Sequence, residues 1–170
     1  MAKTTANAPK APARPSAGNP ITRSHVVWRG ELSFDAGVDD RTHAIDGNAK
    51  QAPSPVETML GSLGACSASD VVDILAKQRT PATRLEVDVV STRRAEFPRR
   101  VMKLDVAFTI DGKGIETAQA ERAIKLSFEK YCTVAASLAG DIELTSTLVL
   151  NGERKESVRQ PMFSATFPGA

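Results

Sequence analysis

Cysteine and histidine are scarce in this chain of 170 residues, with two of each. Cys66 and Cys132 show neither a CxxC pair nor a Cys/His spacing of the kind that holds zinc, and two histidines are too few for most metal sites. No metal is expected on these grounds. Charge of one sign is also missing. Residues 1–23 hold four bases, Lys3, Lys10, Arg14 and Arg23, and no acid, which leaves 18 bases against 20 acids in the remainder. That balance excludes a basic nucleic-acid module. Nor is there a long apolar run: the uncharged stretch Thr58 to Ser69 has twelve residues, too few to span a bilayer, so no membrane partner is expected. The first twenty residues lack the apolar segment of a signal peptide and read as part of a disordered leader, residues 1–23. Without an export signal the expected location is cytoplasmic, where a disulfide would be transient and catalytic rather than structural.

What is present is an ordinary soluble composition, 41% hydrophobic and 25% charged, with no internal repeat. It predicts one domain over residues 24–150, followed by a tail, 151–170, with no steady period. The chain is organised around SPVETMLGSLGACSASDVVDILAKQR, residues 54–79. Ser54 followed by Pro55 and by Glu57 three positions on predicts a capping box, in which two orphan backbone donors are satisfied reciprocally. The uncharged residues behind it, mostly Leu, Met, Gly, Ala and Ser, give a helix without a solvent face, which needs cover on several sides. Cys66 lies in its middle and is expected to be largely shielded from water. Lys77 and Arg79 suit the C-terminal end of the helix, and Thr80-Pro81 stops it.

Ser24 to Phe34 alternates, with Val26, Trp28, Leu32 and Phe34 on one face, and predicts a half-buried strand. Asp35 to Asp40 reads as a turn and Arg41 to Asp46 as a short return strand. Arg84 to Val90, with Leu85, Val87 and Val89 inward, precedes the loop STRRAEFPRR and a strand carrying Met102, Leu104, Val106, Phe108 and Ile110. These two segments predict an antiparallel hairpin with a solvated, arginine-rich tip. Thr117 to Tyr131 reads as helix, Cys132 and Thr133 begin a second short helix ended by Gly140, and Ile142 to Leu150 is a last strand before the Asn151-Gly152 turn. Strand runs separated by helices, without strict βαβ alternation, predict an α+β fold.

The stretch SPVETMLGSLGACSASDVVDIL, followed later by LSFEKYCTVAASL, resembles the OsmC/Ohr superfamily (osmotically inducible and organic hydroperoxide resistance proteins), and most of all its YhfA-type branch. The resemblance implies an intertwined homodimer with antiparallel sheets packed around long central helices. It implies a thiol-dependent peroxidase reducing organic hydroperoxides, with Cys66 peroxidatic, Cys132 resolving it as a disulfide, and a dithiol reductant such as a lipoylated protein resetting the pair. No metal or bound organic cofactor is required. An acid and an arginine assist the thiolate in that family. The acid's position, ten residues before the first cysteine, is Val56 here, with Glu57 one step further round the helix; the arginine has two candidates, Arg29 and Arg41, of which Arg29 is taken forward. The alternative is a non-enzymatic dimer of the same fold binding a small hydrophobic ligand in its crevice.

Local chemistry leaves two readings of Cys66 standing: a small buried hydrophobe, or a thiolate that needs positive charge from another element, Arg29, Arg41 or His43. Asp70 and Asp73, four and seven residues on, would oppose ionisation if close and unpaired. Cys132 starts a helix beside Lys130, and on that ground is expected to be the better-activated thiol. Glu57 reads first as a helix cap and second as a catalytic acid.

Overall fold

The computed structural model describes residues 21–162. Most of the leader and the last eight residues therefore lie outside the described residues. The chain forms two compact units, divided between Ala52 and Pro53.

The first unit is an antiparallel meander of β1 (His25–Gly30), β2 (Ser33–Val38) and β3 (Arg41–Asp46). The return strand stands where its sequence predicts, but the long strand and the turn after it do not. Gly30 (φ 116°) and Glu31 (φ 47°) reverse the chain within the alternating stretch, so that Gly30 faces Ser33. The next turn is confined to Asp39-Asp40 between paired Val38 and Arg41. A period of two runs straight through a two-residue turn, which is why the alternation hid the reversal. The expected inward face is also open: Val26, Trp28 and Leu32 are exposed, and the Trp28 indole donates to the Glu31 carbonyl at 2.9 Å. The unit ends at Asp46, whose buried carboxylate accepts from the backbone N–H groups of Asn48, Lys50 and Gln51 at 2.8–3.1 Å. Those donors hold it below the usual carboxylate range.

The second unit begins with α1 (Pro55–Lys77). Its capping box is present: Ser54 Oγ accepts from the Glu57 N–H at 3.3 Å, and Glu57 Oε2 from the Ser54 N–H at 2.7 Å. Strands β4 (Arg84–Arg93) and β5 (Val101–Asp111) follow as the expected antiparallel hairpin. At the tip, Arg93 and Arg94 donate to backbone carbonyls of the loop, and Arg100 pairs with Asp141 at 2.5 Å. A bulge, at which Arg93 pairs with Val101 and Thr92 with Lys103, turns Met102 out of the core and Val101 in. The chain then passes through α2 (Thr117–Leu126), a π-helical turn (Ser127–Tyr131) and α3 (Thr133–Ala136) into β6 (Glu143–Leu150). That crossover is long enough to bring β6 back parallel to β5, among the described residues the one parallel pair in an otherwise antiparallel sheet. The stretch after Asn151-Gly152 supplies β7 (Glu153–Arg154) and β8 (Val158–Gln160), both paired with β6. The fold is α+β, as its sequence predicts.

The core lies between α1 and α2 on one side and the sheet on the other. Leu63, Val71 and Leu75 meet Leu104, Val106, Phe108 and Ile110, and Phe108 packs edge-on to Phe128 with centroids 6.1 Å apart. Gly64 lets α1 approach β4: a Cβ there would stand 3.2 Å from a Val89 methyl group. By length and composition α1 could cross a bilayer, yet Asp70 and Asp73 interrupt its second half and it packs on β4, α2 and α3. Its opposite face, with Gly61, Ala65, Ser69 and Val72, is exposed in the single chain.

The reciprocal cap gives a direct expectation. Ser54→Ala should lower stability by about 1 kcal/mol, and Glu57→Ala should lower the melting temperature while leaving Cys66 reactivity unchanged. Thermal melts beside thiol-alkylation rates check both; loss of Cys66 reactivity with an unchanged melting temperature would make Glu57 an acid of the site.

Candidate functional site

Helix α1 carries Cys66 and Asp70 one turn apart, so both project from the same side of the helix. The element that meets them is the irregular end of α2. After Leu126 the helix widens into the π turn, in which the Cys132 N–H donates to the Ser127 carbonyl at 2.8 Å, five residues back. This turn puts two side chains on Asp70. The fully buried Ser127 hydroxyl donates to Asp70 Oδ2 at 3.0 Å, and Cys132 arrives as the N-cap of α3. The sulfurs of Cys66 and Cys132 and a carboxylate oxygen of Asp70 lie within 4.8 Å of one another. Among the described residues this is the group of cysteine and acid donors close enough to share a metal ion.

The two thiols differ in setting. Cys66 is half-buried rather than shielded, and Cys132 is fully buried. The helix-start argument for an activated Cys132 fails for that reason. The start of α3 does supply a donor, the Ala135 N–H at 3.4 Å from Cys132 Sγ, but α3 has only four residues. Loss of water outweighs that donor, the neighbouring Cys66 thiol and the Asp70 carboxylate add to the effect, and the Cys132 thiol is pushed up to about 12. Lys130 offers no rescue: it is exposed, with its ammonium 5.4 Å from the centre of the Tyr131 ring.

Of the other candidates, Glu57 is held by Ser54, and that contact lowers its carboxyl below the usual range. It lines one end of an open groove of about 380 Å³ between α1 and β4, floored by Leu60, Gly61, Gly64, Ala65, Val87 and Val89. Asp73 is paired with Lys77 at 2.6 Å. Arg29 belongs to the first unit, where it donates to Asp35 at 2.7 Å, and Arg41 approaches Asp39 at 3.9 Å in the same unit. Asp70 stands out in the sequence only as an obstacle to thiolate formation, and Ser127 does not stand out. The signal for Asp70 was its spacing of four from Cys66. For Ser127 it was a hydroxyl on the apolar stripe that Ala120, Ala123 and Ile124 define.

The geometry makes a reactivity order testable. Under reducing conditions near neutral pH an alkylating reagent should modify Cys66 first and leave Cys132 unmodified until the protein unfolds, as read by peptide mass spectrometry. Stability carries a second signature. The unfolded Cys132 thiol titrates near 9.0 and the folded one near 12, so between those values unfolding releases a proton and stability falls as pH rises. Relative to Cys132→Ala, the wild type should lose up to about 1.4 kcal/mol per pH unit across that window in denaturant unfolding. Parallel curves for the two proteins would show that Cys132 is not buried as described.

Comparisons with known proteins agree with one another. The family model described as OsmC-like protein matches residues 47–147. Protein YhfA of Escherichia coli K12 is 40% identical over 126 residues, which cover 72% of this chain and 93% of that protein. A crystal structure of a hypothetical protein from Aquifex aeolicus VF5 superposes with a TM-score of 0.72 at 25% identity, over 78% of this chain and 98% of that one. The structure of an organic hydroperoxide resistance protein OsmC from Legionella pneumophila shares the fold at 16% identity, with a TM-score of 0.54 over 78% of this chain and 98% of the other.

Proposed function

The chain belongs to the OsmC family, and we propose that it is a thiol-dependent peroxidase that reduces organic hydroperoxides through Cys66 and Cys132. The observation that carries this reading is the meeting of a half-buried and a fully buried sulfur within 4.8 Å. The accessible thiol is suited to meet the substrate, and the enclosed one to wait for its product. The Cys66 thiolate attacks one peroxide oxygen, the O–O bond breaks, and the alkoxide leaves as alcohol after taking a proton. Cys66 is then a sulfenic acid. Cys132 attacks that sulfur as its own proton departs, water leaves and a disulfide forms. The high proton affinity of Cys132 makes a base necessary in this step, and Asp70 stands beside it. Asp70 is then the carboxylate of the pair, in place of the acid that the family resemblance implies at Val56. A small dithiol or lipoylated protein, itself oxidised to a disulfide, restores both thiols in a reducing compartment.

The protein works as a homodimer in this reading. The uncovered face of α1 at Gly61, Ala65, Ser69 and Val72 consists of small or apolar side chains, and burying such a face is the ordinary driving force for obligate association. Arg29 is the candidate cation for the thiolate. An apolar surround favours alkyl or lipid hydroperoxides over hydrogen peroxide, because their tails gain from burial. The open groove between α1 and β4 favours a second reading, in which the family fold binds a small hydrophobic ligand and does no chemistry.

Turnover decides between them. Chelator-treated protein supplied with a dithiol should consume cumene hydroperoxide faster than hydrogen peroxide. Cys66→Ser should abolish this, and Cys132→Ser should stop after forming the sulfenic acid. Arg29→Ala should slow the first step, with Arg41→Ala as control. Oxidation of wild type no faster than that of free cysteine would leave the ligand-binding reading.

A further inference from the structure

We infer that Cys66, Asp70 and Cys132 form a three-ligand site for a soft d10 cation, zinc or cadmium in class, with the fourth position open. The inference does not rest on peroxidase activity. It follows from the donor set, its spacing and its surroundings. Two thiol sulfurs and a carboxylate oxygen converge within 4.8 Å. Two thiolates on one tetrahedral zinc stand about 3.8 Å apart, given metal–sulfur bonds of about 2.3 Å, so the metal needs an approach of about an ångström at most, within the reach of side-chain rotation. Sulfur donors select zinc, cadmium or copper(I) over magnesium and calcium.

The surroundings also fit. Asp70 is held by the buried Ser127 hydroxyl at 3.0 Å, the kind of outer contact that orients a ligating carboxylate. Half-buried Cys66 gives the ion a way in, while Cys132 and Asp70 lie beneath it. Charge supplies the driving force. Three groups that would be anionic together are gathered where two of them, Asp70 and Cys132, are buried, and a divalent ion offsets their charge: metal–sulfur bonds form, the S–H bonds break, and the protons pass to solvent with no change of oxidation state. The spacing of 66 residues between the sulfurs hides such a site from any reading by motif.

The test uses reduced, chelator-stripped, full-length protein and cadmium as the probe, in the absence of peroxide. One equivalent of cadmium per chain should raise the ultraviolet band of cadmium bound to thiolate, release at least one proton into weak buffer, and protect both cysteines from alkylation. Asp70→Asn should weaken binding at least tenfold with the band retained, and Ser127→Ala should weaken it 10–100-fold. Cys66→Ser, at a half-buried position that tolerates the change, should diminish the band and abolish tight binding. Absence of the band at one equivalent, or binding unchanged in both Cys66→Ser and Asp70→Asn, would overturn the site. Peroxide turnover is measured with chelator present, so each claim can fail alone.

Discussion

Asp70 is a buried carboxylate, 8% exposed, on a helix whose Val71 and Leu75 belong to the apolar core layer, and it meets the end of α2 at Ser127. Burying such a group without hydrogen bonds costs several kcal/mol, so the layer has to be built to receive it. Ser127, on the helical stripe of Ala120, Ala123 and Ile124, answers with its hydroxyl. The π turn that begins there takes the chain out of α-helical register, and Cys132 follows it beside Asp70. The crossover that contains this turn then feeds β6 back parallel to β5. The polar contact thus meets one requirement, a partner for the buried carboxylate, and the irregular helix end brings Cys132 beside it.

That requirement also divides the labour of the two thiols. Beside a carboxylate and out of water, Cys132 keeps its proton; Cys66, one turn before Asp70, retains contact with solvent. A pair so arranged has one member that reagents can reach and another enclosed behind it in the folded chain. The same closeness of three donors provides for a cation, which would compete with peroxide for the pair.

The sequence was most legible where a local pattern matches a local structure. Ser54, Pro55 and Glu57 announced the start of α1, the alternation from Leu104 to Ile110 announced β5, and Asn151-Gly152 announced a turn, though not the strands β7 and β8 that follow it. Legibility failed where spacing does not encode direction. A period of two could not show the reversal at Gly30 and Glu31. A helical stripe from Ala120 to Phe128 could not show that the backbone switches to π geometry beneath Ser127. The cysteines were singled out by resemblance, and their approach to one another is a tertiary fact. The helix-start argument for Cys132 failed because its surroundings are set by neighbours far away in sequence, among them Cys66 and Asp70 of α1.

Direct pairing of Cys66 with Cys132 is the central claim, and disulfide mapping tests it most directly. Reduced protein treated with one equivalent of cumene hydroperoxide, quenched and digested without reductant, should yield a single linked peptide pair carrying Cys66 and Cys132, lighter by two hydrogens, with the chain unlinked to its neighbour on a non-reducing gel. Recovery of Cys132 as a free thiol, with Cys66 driven on to sulfinic acid or bridged to Cys66 of another chain, would contradict the account.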